Sequence, residues 1–303
     1  MDMGKAVSSD IVGFVGLGTM GRPMAANLIK AGHRLAVVDR PSLTEDMRAL
    51  AEVCADLKAL ARVSSVIILM LPDTPDVEAV LFGANGLSGT DIAGKLVIDM
   101  SSISPTATKS FAEKLFALGC AYVDAPVSGG EVGAVAGSLT IMAGGPEEAF
   151  ARALPLLEAM GRSITHIGTD NGAGQACKIA NQMVVAMNIQ AVAEALAFSQ
   201  RFGVDPAKVR EALLGGFAGS RVLDVHGKRM IEHTFAPGFR IALHHKDLRL
   251  ALTAAEEFGA TLTGTAVVET MFSRAIAAGG GAWDHSALMR IAEEDVGVIS
   301  LVD

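Results

Sequence analysis

The sequence predicts an α/β fold: an N-terminal Rossmann-type, mostly parallel sheet, a long connecting helix and an all-α C-terminal domain. Three observations carry this. From residue 11 to about residue 168, short β-rich runs alternate with amphipathic stretches, the pattern of an open sheet covered on both faces. A turn with three glycines directly follows the first of these runs. From Gln175 onward the period is helical, and no strand run of similar strength follows.

Taken in order, the strand candidates are "IVGFVG", "RLAVVD", "SVIILMLP", "KLVIDMSS", "AYVDAPV", "SLTIMAGG" and "SITHIG". Segments such as "MAANLIKAG" and "DVEAVLFG" supply the early crossovers. The last two strands follow each other closely, so antiparallel pairing is expected at that edge. Residues 175–203, "QACKIANQMVVAMNIQAVAEALAFSQRFG", are apolar nearly all round, as suits a helix buried in a core or a subunit interface. Further helices are expected at 206–214, 244–258, 265–278 and 286–294, between glycine and proline breaks. The domains are therefore read as 1–169, dinucleotide-binding, and 170–303, helical, substrate-binding and oligomerising.

A chain of 303 residues is long enough for two such cores. Hydrophobic residues make up 50% and aromatics only 5%, so alanine, glycine and methionine must fill much of the interior. The formal charge of −8 argues against a nucleic-acid surface, which needs clustered Lys and Arg. Cys54, Cys120 and Cys177 form no CxxC pair and read as reduced core thiols, and no metal-ligand spacing is evident. The apolar run at 66–71 is too short to span a membrane, and "MDMGKAVSSD" lacks the apolar region of a signal peptide. A cytoplasmic protein without membrane or nucleic-acid partners is the expectation.

"GLGTMG" places Gly16, Gly18 and Gly21 between a strand and a helix, with Leu17, Thr19 and Met20 between them. Gly16 permits the tight turn, Gly18 the approach of a pyrophosphate, and Gly21 close packing of helix on strand. Asp39 ends the next strand, 18 positions beyond Gly21, where a carboxylate accepts from ribose hydroxyls. Arg40 beside it suits a 2′-phosphate, which Asp39 repels, so the reading is NAD, with NADP possible.

Two stretches bear on chemistry. "DAPVSGG" ends in Ser128, Gly129 and Gly130, whose hydroxyl and amides suit a carboxylate, although a plain glycine turn satisfies the same pattern. In "GAGQACKIANQ", Lys178 lies within an apolar helical stretch and Asn181 shares its face. A buried ammonium there donates a proton to the alkoxide formed when hydride reaches a carbonyl carbon. A lysine snorkelling from a helix end is the structural alternative.

With these residues in view, "GFVGLGTMGRPMAANL", "DAPVSGGEVGAVAGSLTIMAGG", "GAGQACKIANQ" and "HHKDLRLAL" resemble the four signature blocks of the β-hydroxyacid dehydrogenases, in family order over residues 11 to about 255. The resemblance implies hydride transfer between NAD(P)H and a small 3-oxo or 3-hydroxy acid. It makes Lys178 the catalytic lysine and Asn181 its substrate-binding neighbour, and gives the substrate carboxylate and hydroxyl to Ser128, Gly129 and Gly130. It assigns Lys246 and Asp247 to closure over substrate and nicotinamide, and Leu71, Pro72, Asp76 and Ser102 to the cofactor site. Asp76 and Ser102 stand where the family often has Asn and Thr. "GGFAGSRVLD" and "FAPGFRIALHHKDL" resemble the branch that acts on a hydroxylated three-carbon semialdehyde; branched-acid relatives are the alternative. Arg240 and His244, close in sequence to Lys246, favour a polar acid. An inactive nucleotide-binding module, or an imine reductase, is expected to lack Lys178. A homodimer or homotetramer built by the helical part completes the expectation.

Overall fold

The computed structural model describes residues 10–41 and 43–299. The chain divides into two compact units, Met1–Lys178 and Ile179–Asp303.

In the first unit the strands are β1 (Ile11–Val15), β2 (Arg34–Val38), β3 (Glu52–Cys54), β4 (Ser64–Leu69), β5 (Leu96–Asp99), β6 (Ala121–Asp124), β7 (Val127–Ser128), β8 (Leu139–Gly144) and β9 (Gly161–Gly168). They form one sheet in the order β3-β2-β1-β4-β5-β6-β8-β7, with β9 paired to β8. The helices are α1 (Gly21–Lys30), α2 (Glu45–Leu50), α3 (Leu57–Val63), α4 (Thr74–Phe82), α5 (Pro105–Ala117), α6 (Gly130–Ala136) and α7 (Glu147–Met160). The strands read as unbroken apolar runs because both faces of the sheet are covered. Val12, Phe14 and Ile68 belong to one core, with Met24 and Leu28 of α1. Ile67 and Leu69 belong to the other, with Leu60 of α3 and Leu81 of α4. The alternation along each strand is the period of two that a pleated backbone imposes.

The edge carries the expected antiparallel pairing, but between other strands than the pair that suggested it. Antiparallel pairing does occur, between β6 and β8 and between β7 and β8. The closely spaced pair "SLTIMAGG" and "SITHIG", however, runs parallel as β8 and β9. The 14-residue helix α7 makes the crossover between them, long enough despite Pro155 within it. The short strand β3 was not legible either, since only Cys54 of its three residues is buried.

Helix α8 (Ala173–Arg201) starts in the first unit and continues into the second. By length and composition it is apolar enough to cross a membrane, and half of its most apolar window is buried inside the protein. The second unit continues with α9 (Pro206–Leu214), α10 (Arg221–Ile231), α11 (Ile241–Glu257), α12 (Thr263–Ala277) and α13 (Leu288–Asp295). Its core gathers Ile189 and Leu196 of α8 with Leu248, Phe272 and Leu288. Beyond β9, the described residues add one isolated bridge, Arg240 to Asp284, and no strand. Helix α10, absent from the sequence expectation, is capped by Ser220, whose side chain accepts from Leu223 N–H at 3.0 Å.

Candidate active site

The strand order reverses between β1 and β4, and in an open parallel sheet a ligand cleft forms outside the carboxyl ends at such a point. The three glycines occupy it with three separate physical duties. Gly16 has φ +100°, and a Cβ there would lie 2.1 Å from Met70 O just past β4. A Cβ on Gly21 would lie 1.8 Å from Gly16 O, so the first turn of α1 closes directly on the loop. A Cβ on Gly18 would meet nothing within 4 Å, so its surroundings are open to an approaching group. Helix α1 has no side-chain cap and no acidic residue in its first turn, which leaves the positive end of its dipole available to an anion. A cavity of about 210 Å³ lies here, lined by Gly16, Leu17, Val38, Arg40, Leu57 and Leu71 among others. These features fit a dinucleotide: an open backbone, an uncapped helix and, at the end of β2, the Asp39 carboxylate.

Leu71 donates its N–H to the Ser101 hydroxyl at 2.9 Å, while Pro72 and Asp76 are exposed at the head of α4. Asp73 rather than Asp76 caps that helix, accepting from Thr74 N–H at 2.7 Å. Ser102 is partly buried, whereas its neighbour Ser101 is fully buried. The Ser101 N–H donates to Asp99 Oδ1 at 2.9 Å, and the Tyr122 hydroxyl donates to Asp99 Oδ2 at 2.9 Å. Burial, partly opposed by these hydrogen bonds, raises the Asp99 carboxyl to about 6.

The "DAPVSGG" stretch separates into two parts. Ser128 ends β7, and Gly129 and Gly130 follow at φ +129° and +59°, values costly for any residue with a side chain. Asp124 at its start is a structural anchor that the sequence reading left without a role. It is completely buried, accepting from Gly172 N–H at 2.8 Å and Gln175 N–H at 2.9 Å, at the head of α8. Burial raises its carboxyl, and the two amides pull the other way. Gln175 completes the junction, donating to Ser101 O at 2.8 Å and accepting from Ile103 N–H at 3.1 Å. Lys178 stands buried one turn further along α8.

In the helical unit, Asn181 donates to Gln182 Oε1 at 2.9 Å, and Gln182 Nε2 donates to Asp247 Oδ2 at 2.6 Å. Asp247 is also paired with Lys246 Nζ at 3.2 Å. Asn181, Lys246 and Asp247 thus belong to one hydrogen-bonded chain whose middle member, Gln182, the sequence reading missed. Its signal was its place on the buried side of α8, beside Asn181.

His244 is held in the core of the helical unit. It is fully buried, Nε2 3.0 Å from Gln182 O and Nδ1 3.0 Å from His285 Nδ1, with its ring against Phe272. Arg240, by contrast, is exposed at the start of α11. His226, Asp284 and His285 cluster within metal-ligand range of one another. The Asp284 oxygens already accept from the Gly238, Phe239 and Ser286 amides, the Ser286 hydroxyl and Arg229. A cation there would face a guanidinium and displace those donors, so the cluster reads as a polar core.

Two sequence profiles match the chain: the NAD-binding domain of 6-phosphogluconate dehydrogenase over residues 11–168, and the NAD-binding region of NADP-dependent 3-hydroxyisobutyrate dehydrogenase over 172–292. A 2-hydroxy-3-oxopropionate reductase of Escherichia coli is 51% identical over 93% of this chain and 97% of its own. A 3-hydroxyisobutyrate dehydrogenase of Pseudomonas aeruginosa is 41% identical over 86% and 91%. Among solved structures, the 3-hydroxyisobutyrate dehydrogenase of Mycobacterium tuberculosis with L-serine superimposes with a TM-score of 0.83 at 33% identity, covering 93% of this chain and 98% of that one.

Asp99 gives a test of the buried junction. Its folded pKa of about 6 lies above the ordinary 3.8, so the folded state holds the proton more tightly. That contribution is fully present below about pH 4 and is lost as pH rises through about 6. Asp99→Asn has no such proton to lose. Relative to the wild type, its unfolding free energy in urea should therefore improve by about 1 kcal/mol between about pH 5 and about pH 8. A pH-independent difference would remove the assignment.

Proposed function

The chain belongs to the 3-hydroxyisobutyrate dehydrogenase-like β-hydroxyacid dehydrogenases, NAD(P)-dependent oxidoreductases acting on CH–OH groups, and we propose that it reduces tartronate semialdehyde (2-hydroxy-3-oxopropionate) to glycerate. The observation that carries the substrate is the 51% identity, over nearly the full length of both chains, with the reductase named for that compound.

The nicotinamide, when bound, supplies the hydride. Under this reading the Lys178 ammonium gives the proton that the carbonyl oxygen needs as it becomes an alkoxide. A buried lysine is costly to keep without a task, and capping of α8 by Asp124 fixes where along the helix it stands. Ser128, Gly129 and Gly130 bind the substrate carboxylate and hydroxyl through the Ser128 hydroxyl and backbone amides. Asn181, Lys246 and Asp247 take the substrate-facing roles that family membership implies. Gly16, Leu17, Gly18, Thr19, Met20 and Gly21 receive the pyrophosphate, Asp39 the adenosine ribose, and Leu71, Pro72, Asp76 and Ser102 the rest of the cofactor.

Lys178→Ala should lower kcat by about 10²–10⁴-fold. Cofactor affinity, read by calorimetry, should hardly change. A variant retaining half of the turnover would exclude Lys178 as the proton donor.

Substrate choice is read from steady-state kinetics on two semialdehydes. A site that hydrogen-bonds a C2 hydroxyl leaves a buried polar group unpaired when a methyl takes its place, at about 1–3 kcal/mol. Tartronate semialdehyde should therefore exceed methylmalonate semialdehyde in kcat/KM by about 5- to 150-fold. With His244 committed to the helical core, this rests on the identity with the E. coli reductase and on the Ser128–Gly130 loop. The reverse preference would keep the family and overturn the substrate.

An apolar face of α8 that continues into Phe202 just beyond it supports assembly as a homodimer or homotetramer. Val184, Phe198 and Phe202 lie along one helical face and are exposed at 60%, 65% and 76%. Light scattering at micromolar concentration should give a mass of two or four chains; a monomer would refute the assembly.

A further inference from the structure

Asp39 donates its backbone N–H to Cys54 O at 2.8 Å, which fixes the end of β2 against β3 and leaves the carboxylate at the rim of the cleft. An arginine that no sequence motif pointed to meets it there. Arg48, in α2, donates from Nη2 to Asp39 Oδ1 at 2.6 Å, with its Nε 3.8 Å from Glu45. The side chains are 33% and 52% exposed, and a pair as open as this contributes little to folding. Its consequence is local charge. Arg40, the next residue, lines the cavity beside the glycine loop and also a neighbouring cavity of about 300 Å³, which Asp39 lines as well. Asp56 lines the same cavity, but its Oδ1 is turned into α3, accepting from Ala59 N–H at 2.7 Å.

We infer that Arg48 is a cofactor-selectivity residue: paired with Asp39, it lets this rim accept either a ribose 2′-hydroxyl, on Asp39, or a 2′-phosphate, on Arg48 and Arg40. The inference rests on the reading that Asp39 meets the adenosine ribose. An unpaired Asp39 would repel a phosphate dianion at contact distance. Arg48 offsets that charge, and its planar fork matches phosphate oxygens if Asp39 turns away. A group that reaches Asp39 Oδ1 is, by the 2.6 Å contact, already beside the guanidinium. The rim thus holds two arginines, one of them paired with a carboxylate that favours the unphosphorylated ribose.

The test is calorimetric binding of NADH and of NADPH to the full-length protein, with melting temperature as the folding control. Arg48→Ala should weaken NADPH by about tenfold or more while NADH stays within about threefold, and Arg48→Lys should fall between. Asp39→Asn should tighten NADPH by about tenfold, and the double variant should lose that gain, since the arginine it relies on is gone. Equal effects of Arg48→Ala on the two nucleotides, or a double variant that binds NADPH as tightly as Asp39→Asn, would overturn the role of Arg48. If Asp39→Asn changes neither affinity, the ribose does not meet Asp39, and the reading beneath the inference falls with it.

Discussion

A single buried carboxylate holds the working end of the first unit together. Asp124 closes β6 and accepts from Gly172 and Gln175 amides at the head of α8, so it does from a neighbouring strand what an N-cap residue does from within the chain. An ionised carboxylate with no water around it is costly. The two amides and the positive end of a 29-residue helix offset that cost. Glycine is required around it for lack of space. A Cβ on Gly144 would lie 2.9 Å from Asp124 Oδ1, and one on Gly174 would lie 2.3 Å from Met142 O and 2.9 Å from Asp124 Oδ2. The glycines of "MAGG" and "GAGQ" are therefore packing devices, unlike Gly18 in the dinucleotide loop, whose surroundings are open.

From this anchor a hydrogen-bonded lattice runs back across the sheet. Gln175 reaches the Ser101 carbonyl and the Ile103 amide, Ser101 holds Leu71 and Asp99, and Tyr122 returns to Asp99 from β6. The ends of β4, β5 and β6 and the start of α8 are thus tied by groups that are nearly all buried. A lattice of this kind tolerates little change, because a missing partner leaves a buried donor or acceptor unsatisfied. It connects Leu71, which lines the cavity beside the glycine loop, to Gln175 on the helix that carries Lys178.

How much of this the sequence discloses depends on whether the cause is local. The glycine duties were legible because strand, turn and helix are neighbours in the chain, and α9 has the bounds its Pro206 and Gly215 suggest. Helix α7 is harder to see, with Pro155 inside it, and without it the spacing of β8 and β9 suggests an antiparallel edge. Gly227 in the middle of α10 hid that helix in the same way. Asp124 looked like part of a ligand loop because its partners are 48 and 51 residues away. His244 shows the opposite case, where nearness in sequence suggested a shared task with Lys246 but the fold places the two side chains on different faces. Helical periodicity turns positions two apart to opposite sides, and His244 falls with Asp247, Leu248 and Ala251 on the buried face of α11.

The buried side of that helix also fixes a direction. A carbonyl only accepts, so His244 carries a proton on Nε2 toward Gln182 O, with its Nδ1 3.0 Å from His285 Nδ1. His285 Nε2 lies 3.2 Å from His226 Nε2, and His226 Nδ1 lies buried 3.8 Å from Asp284 Oδ1. Burial lowers both His226 and His285, and the neighbouring His244 lowers His285 further. The amides obey the same logic. Asp247 only accepts when ionised, so Gln182 must turn Nε2 toward it and Oε1 toward Asn181, and Asn181 must then present its own Nδ2 to Gln182. The orientation of Asn181, one turn along α8 from Lys178, is therefore set by a carboxylate on another helix.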